Sequence, residues 1–122
     1  MNTVLVADDQ PSLRLLVSAT LASEEVEVVE AADGDEAWRL LQERHPRVAL
    51  LDVQMPGRTG LELSRAIRAD AGLADMHIIL LTSKALSSDV EAGLAAGANR
   101  YLTKPFSPLE LLEEVDRALG LP

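Results

Sequence analysis

Five polar side chains follow or close short apolar runs of strand length along this 122-residue chain. Asp8 and Asp9 come after Val4-Leu5-Val6-Ala7, and Asp52 after Val48-Ala49-Leu50-Leu51. Thr82 closes Ile78-Ile79-Leu80-Leu81, and Lys104 follows Tyr101-Leu102-Thr103. Either aspartate of the first pair could cap a helix opening at Pro11, but capping needs only one carboxylate. Three carboxylates brought together repel one another unless a cation lies among them, and they offer only hard oxygen ligands. Mg²⁺ that keeps several waters is the expected ion. Zinc or copper would call for imidazole or thiolate; the chain has no cysteine, and neither His45 nor His77 falls on this edge. Asp52 precedes Val53-Gln54-Met55-Pro56-Gly57, whose proline and glycine hold the loop open. An aspartate near its reference pKa of about 3.9 is ionised at neutral pH and can attack a phosphoryl group through oxygen. The cation and Lys104 would neutralise charge on that group, with the Thr82 hydroxyl donating to one of its oxygens.

Such a constellation requires elements that bring distant strand ends to one edge. Strand-like runs recur at Thr3 to Ala7, Val26 to Glu30, Val48 to Leu51, His77 to Thr82 and Asn99 to Thr103. Between them apolar residues fall three or four apart: Leu13, Leu16, Val17, Thr20 and Leu21; Ala37, Leu40 and Leu41; Leu61, Leu63 and Ile67; Val90 and Leu94; Leu109, Leu112, Val115 and Leu119. Pro11, Pro46, Gly97 and Ser107-Pro108 supply starts and stops. Strict alternation predicts an α/β fold, a doubly wound five-stranded parallel sheet with helices on both faces. The third and fourth runs are apolar at consecutive positions, as strands covered on both sides are. An order of 2-1-3-4-5 puts them and the first strand inside, with the ligand crevice beyond the carboxyl ends.

Length predicts a single domain over residues 1–122. Twenty acids against 11 bases give a net charge of −9, which repels phosphate backbones and anionic lipid, so direct nucleic-acid or membrane binding is not expected. Only Trp38, Tyr101 and Phe106 are aromatic, so a base-stacking surface is hard to build. No apolar run approaches the roughly 20 residues a bilayer needs, and a cytoplasmic location is expected.

The pieces Val6-Ala7-Asp8-Asp9-Gln10-Pro11, Leu51-Asp52-Val53-Gln54-Met55-Pro56-Gly57 with Gly60, Leu81-Thr82-Ser83-Lys84-Ala85, Gly93-Leu94-Ala95-Ala96-Gly97-Ala98 and Tyr101-Leu102-Thr103-Lys104-Pro105-Phe106 occur in order. Together they resemble the receiver domain of two-component response regulators, from Val4 to Leu119. The resemblance implies a flavodoxin-like receiver fold and a phosphorelay role, the receiver standing alone or belonging to a longer regulator. Asp52 would be the phosphoacceptor, served by a sensor histidine kinase or a histidine phosphotransfer protein. Asp9 would ligate Mg²⁺ directly, Asp8 mainly through water, and the Gln54 backbone carbonyl would add a ligand beside Asp52. Lys104 would pair with the phosphoryl group and Thr82 would swing toward it, while Tyr101 would act as an aromatic switch. The surface of the fourth helix, fifth strand and fifth helix would then shift toward an output partner, an attached output domain or a homodimer. No turnover of a separate substrate is implied beyond self-phosphorylation and self-dephosphorylation at Asp52.

Gln54 and Lys84 occupy positions that vary between receivers and tune the lifetime of the phosphorylated form. Ser83 leaves access to Asp52, and Thr59 replaces a frequent aspartate without chemical consequence. Trp38 is expected to pack a helix face, His45 to complement a helix C-terminus, and His77 to enter a strand. Gly93 and Gly97 read as packing or capping residues, and the acidic runs Glu24 to Glu30 and Glu110 to Asp116 as solvated faces. An aspartyl phosphatase would want a second acid where Gln54 stands. A flavodoxin-type cofactor binder would want a Gly/Ser/Thr-rich loop where Asp8-Asp9 stand. A binding module that is never phosphorylated would have no need of all five site positions.

Overall fold

The computed structural model describes residues 2–83 and 87–120, the side chains at 87–89 excepted. The elements run β1 (Asn2–Ala7), α1 (Pro11–Leu21), β2 (Val26–Ala31), α2 (Gly34–Arg44), β3 (Val48–Asp52), α3 (Gly60–Ala69), β4 (His77–Thr82), α4 (Ser87–Ala95), β5 (Arg100–Thr103) and α5 (Pro108–Leu119). The strands form one sheet in the order β2-β1-β3-β4-β5, every pair parallel. Every residue of β3 is buried, as its uninterrupted apolar run predicts for a strand covered on both faces.

Alternation along the strands divides the core in two. Leu5, Ala7, Ala49, Leu51, Ile78 and Leu80 face Ala37 and Leu41 of α2 with Leu63 and Ile67 of α3. Val4, Val6, Val48, Leu50, Ile79 and Leu81 face Val17 and Leu21 of α1 with Leu111, Val115 and Leu119 of α5. With a helix layer on each face, all the loops after the strands are pushed to one edge.

Local chemistry fixes where the helices begin. Asp33 caps α2 by accepting from the Glu36 N–H, and Ser107 with Glu110 forms a capping box on α5. Thr59, expected to have no chemical consequence, forms the equivalent box with Glu62 and so sets the start of α3. His45 contributes less through charge than through backbone: it ends α2 at φ 45°, its N–H on the Leu41 carbonyl, while Arg44 is the base in the last turn. Trp38 packs against the core with the Arg58 guanidinium 4.9 Å over its ring. Among the described residues, no helix is long and apolar enough to cross a membrane.

Helix phases depart from expectation at four leucines. Leu16, Leu94 and Leu109 are exposed, and Leu111, absent from the predicted stripe, is fully buried. The acidic runs are also less uniform than solvated faces: Glu114 holds Arg100 through both carboxylate oxygens at 2.9 and 3.0 Å, and Glu27 pairs with Arg44.

Candidate functional site

At the carboxyl edge the inner strands end within reach of one another. Asp52 is the last residue of β3, one place earlier than a residue following the strand, and is in register with Leu81 of β4. The Asp8 N–H bonds to the Ala31 carbonyl, which holds the start of the β1–α1 loop against the end of β2. The backbone of α3 approaches Asp52 so closely that a Cβ on Gly60 would lie 2.4 Å from the Asp52 carbonyl oxygen. Only glycine fits there.

Carboxylate oxygens of Asp8, Asp9 and Asp52 lie within 4.8 Å of one another. Asp8 is fully buried, Asp52 nearly so, and Asp9 exposed. Asp8 does not cap α1: its Oδ1 accepts from the Gln10 N–H at 2.9 Å and its Oδ2 from Lys104 Nζ at 2.7 Å. Lys104 Nζ also stands 3.4 Å from Asp52 Oδ2, and Asp52 Oδ1 accepts from the Gln54 N–H at 3.1 Å. Lys104 is aimed by the end of β5, its own N–H bonded to the Thr82 carbonyl at 2.6 Å, and the peptide to Pro105 is cis. Thr82 is buried at the end of β4, opposite Thr103. Tyr101 is half-buried against the core, and a Cβ on Gly93 would lie 3.3 Å from its ring, which places that ring under α4. Lys84 lies outside the described residues; Ser83 is exposed.

Burial raises the Asp52 carboxyl above its usual range, and the Asp8 charge adds to this. The Gln54 N–H and Lys104 pull the other way without reversing it. For Lys104, burial would depress the ammonium, but hydrogen bonding to Asp8 and the two nearby carboxylates raise it on balance. One cation thus faces three acids, and hard oxygen donors converge around an unneutralised excess of negative charge. That donor set fits a divalent ion such as Mg²⁺.

Sequence reasoning did not single out Arg14. Its Nη1 donates to the Asp8 carbonyl at 2.7 Å and its Nε pairs with Glu30 at 3.3 Å. The signal was positional: a long side chain in the first turn of a helix leans back over the loop that precedes it.

Comparison with known proteins gives a consistent picture. Residues 4–116 match the family model described as response regulator receiver domain. The chain is 38% identical over 112 residues to the DNA-binding response regulator MtrA of Mycolicibacterium smegmatis, covering 92% of this chain and 48% of that protein. It spans about half the length of the curated relatives it matches. Among solved structures, the chemotaxis response regulator CheY4 of Vibrio cholerae superposes with a TM-score of 0.90 at 38% identity, covering 97% of this chain and 98% of that one. The receiver domain of sensor histidine kinase PA1611 from Pseudomonas aeruginosa PAO1, solved with magnesium coordinated in its active site cleft, gives 0.87 at 34% identity, with 98% of each chain covered.

Proposed function

This chain belongs to the response regulator receiver domain family, and from that premise we propose that it is a phosphorylation-controlled switch with Asp52 as its phosphoacceptor. Receiver domains are signalling switches, not enzymes that turn over a separate substrate. The observation that carries the assignment is the position of Asp52: a carboxylate at a strand end, 3.4 Å from a lysine ammonium and beside two further acids.

In the proposed step an Asp52 oxygen forms a bond to phosphorus as the P–N bond of a phosphohistidine breaks. The electron pair leaves with the imidazole nitrogen, which takes a proton. Lys104 moves its partnership from Asp8 toward the incoming phosphoryl oxygens, and the Thr82 hydroxyl donates to another. Asp8, Asp9, Asp52 and the Gln54 backbone carbonyl would hold Mg²⁺, which when bound offsets the negative charge that the carboxylates and phosphoryl group accumulate. Water reverses the modification, releasing inorganic phosphate and restoring the Asp52 carboxylate.

The modification adds roughly two negative charges. Drawing Thr82 inward would then shift Tyr101, which lies under α4, and with it the α4, β5 and α5 surface. The donor is a sensor histidine kinase or histidine phosphotransfer protein in the cytoplasm. The reader is an output protein, an attached output domain or a second copy joined through that surface, and residues 1–122 act as one receiver unit. As a test, the chain is incubated with a small acyl phosphate and Mg²⁺ and its intact mass recorded. One added phosphoryl group is expected, not formed when the metal is chelated beforehand and absent in Asp52→Asn. A modified species that survives in Asp52→Asn would overturn the assignment.

A further inference from the structure

We propose that Arg14 is a positioning residue for the cation site, pinning the Asp8–Asp9 peptide so that the Asp9 carboxylate is presented to the metal. This rests on the cation-site reading above and extends it to a side chain that carries no ligand atom.

Asp8 and Asp9 are held in different ways. The Asp8 carboxylate has two protein donors, the Gln10 N–H and Lys104, and its backbone N–H is fixed to β2 through Ala31. Asp9 is exposed, and among the described residues no donor meets its carboxylate. Its direction therefore depends on the plane of the peptide that joins it to Asp8. The carbonyl of that peptide accepts from Arg14 Nη1 at 2.7 Å.

Arg14 is itself held firmly enough to serve. Its side chain is only 17% exposed; its Nε pairs with Glu30 Oε1 at 3.3 Å, and the other oxygen of Glu30 accepts from Ser18 Oγ at 2.9 Å. One guanidinium thus fastens the β1–α1 loop to β2 through a fork that a point charge cannot reproduce. Outer groups that orient metal ligands without touching the metal commonly change affinity on the order of tenfold or more.

Positioning and simple charge predict opposite signs. A cation beside three acids disfavours a second cation, so if Arg14 acted by charge alone its removal would tighten Mg²⁺ binding. If it orients the loop, removal loosens binding. The test is calorimetric titration of the full chain with MgCl₂, beside urea unfolding without metal, for the parent, Arg14→Met and Arg14→Lys. Expected is a Kd raised about tenfold in Arg14→Met and by a smaller but measurable factor in Arg14→Lys, the latter folding like the parent because its stem and charge remain. An unchanged or tighter Kd in Arg14→Lys, or lost stability with Kd unaltered in Arg14→Met, overturns the proposal. No Mg²⁺ binding by the parent overturns the cation-site reading itself, and this inference with it. Loosened binding in both variants with phosphorylation of the parent intact supports it.

Discussion

Lys104 donates its ammonium to Asp8 at 2.7 Å and stands farther, at 3.4 Å, from Asp52. The lysine thus neutralises the fully buried carboxylate first and leaves the nucleophilic candidate less satisfied. Removing one partner of such a pair exposes the cost of the other's burial, commonly about 3 kcal/mol. Lys104→Met is expected to lose stability of that order in metal-free urea unfolding. Saturating Mg²⁺ should restore a large part, because a divalent ion can take over the neutralisation. A variant as unstable with Mg²⁺ as without it would show that the cation does not share this charge with Lys104.

The raised Asp52 carboxyl sets a second expectation. Its folded pKa lies above the reference of 3.8, mainly through burial, so ionisation is unfavourable in the fold. A group of this kind contributes stability below its unfolded pKa and loses it as pH rises through the folded value. Asp52→Asn, which never ionises, should be more stable than the parent near pH 7 without metal. The advantage should shrink as pH falls toward about 4. Chemical denaturation at several pH values checks this; a constant difference across the range would assign the gain to packing instead.

Gly60 offers a test by steric crowding alone. A Cβ there would sit 2.4 Å from the Asp52 carbonyl oxygen and 2.9 Å from its carbonyl carbon, both backbone atoms that cannot swing aside. Gly60→Ala should cost about 2 kcal/mol or more by overpacking, despite alanine's better helix propensity. Because the strain is delivered at Asp52, phosphorylation by a small donor should slow even where the variant remains folded. Parent-like stability and rate together would place α3 farther from Asp52 than the structure does.

The strand order and the edge on which the polar residues gather were legible because strands reveal burial through consecutive apolar residues and end where those runs end. Helix phase was harder to read. In Leu109-Glu110-Leu111-Leu112 two overlapping stripes are available, and the cap at Ser107 with Pro108 at the first turn selects the one that buries Leu111, Val115 and Leu119. Thr59 and Glu62 likewise gained a role only as a reciprocal pair at a helix start. Long-range charge pairing left no local trace: Glu30 and Glu114 sit in acidic runs, yet their partners Arg14 and Arg100 arrive from other elements. For the same reason the sequence exposed the carboxylates of the site but not the arginine fastening their loop.

The opposite edge of the sheet carries a second titratable feature. His77 opens β4 with its Nε2 buried and without a hydrogen-bond partner among the described residues. Burial depresses its pKa below 6.5, helped by the charges of Arg68 and Arg100 and opposed by Glu114. The folded state therefore resists protonation, and stability present above the unfolded pKa is lost as pH falls through the folded value. Between about pH 7.5 and 5.5 most carboxylates stay ionised, so a decline in unfolding free energy over that window reports proton uptake by His77 on unfolding. His77→Leu removes both the proton uptake and the unsatisfied nitrogen, and should flatten the decline while leaving Mg²⁺ affinity at the far edge unchanged. A slope identical to the parent's would mean that His77 takes up its proton equally well in the folded and unfolded chain, which burial of Nε2 without a partner does not allow.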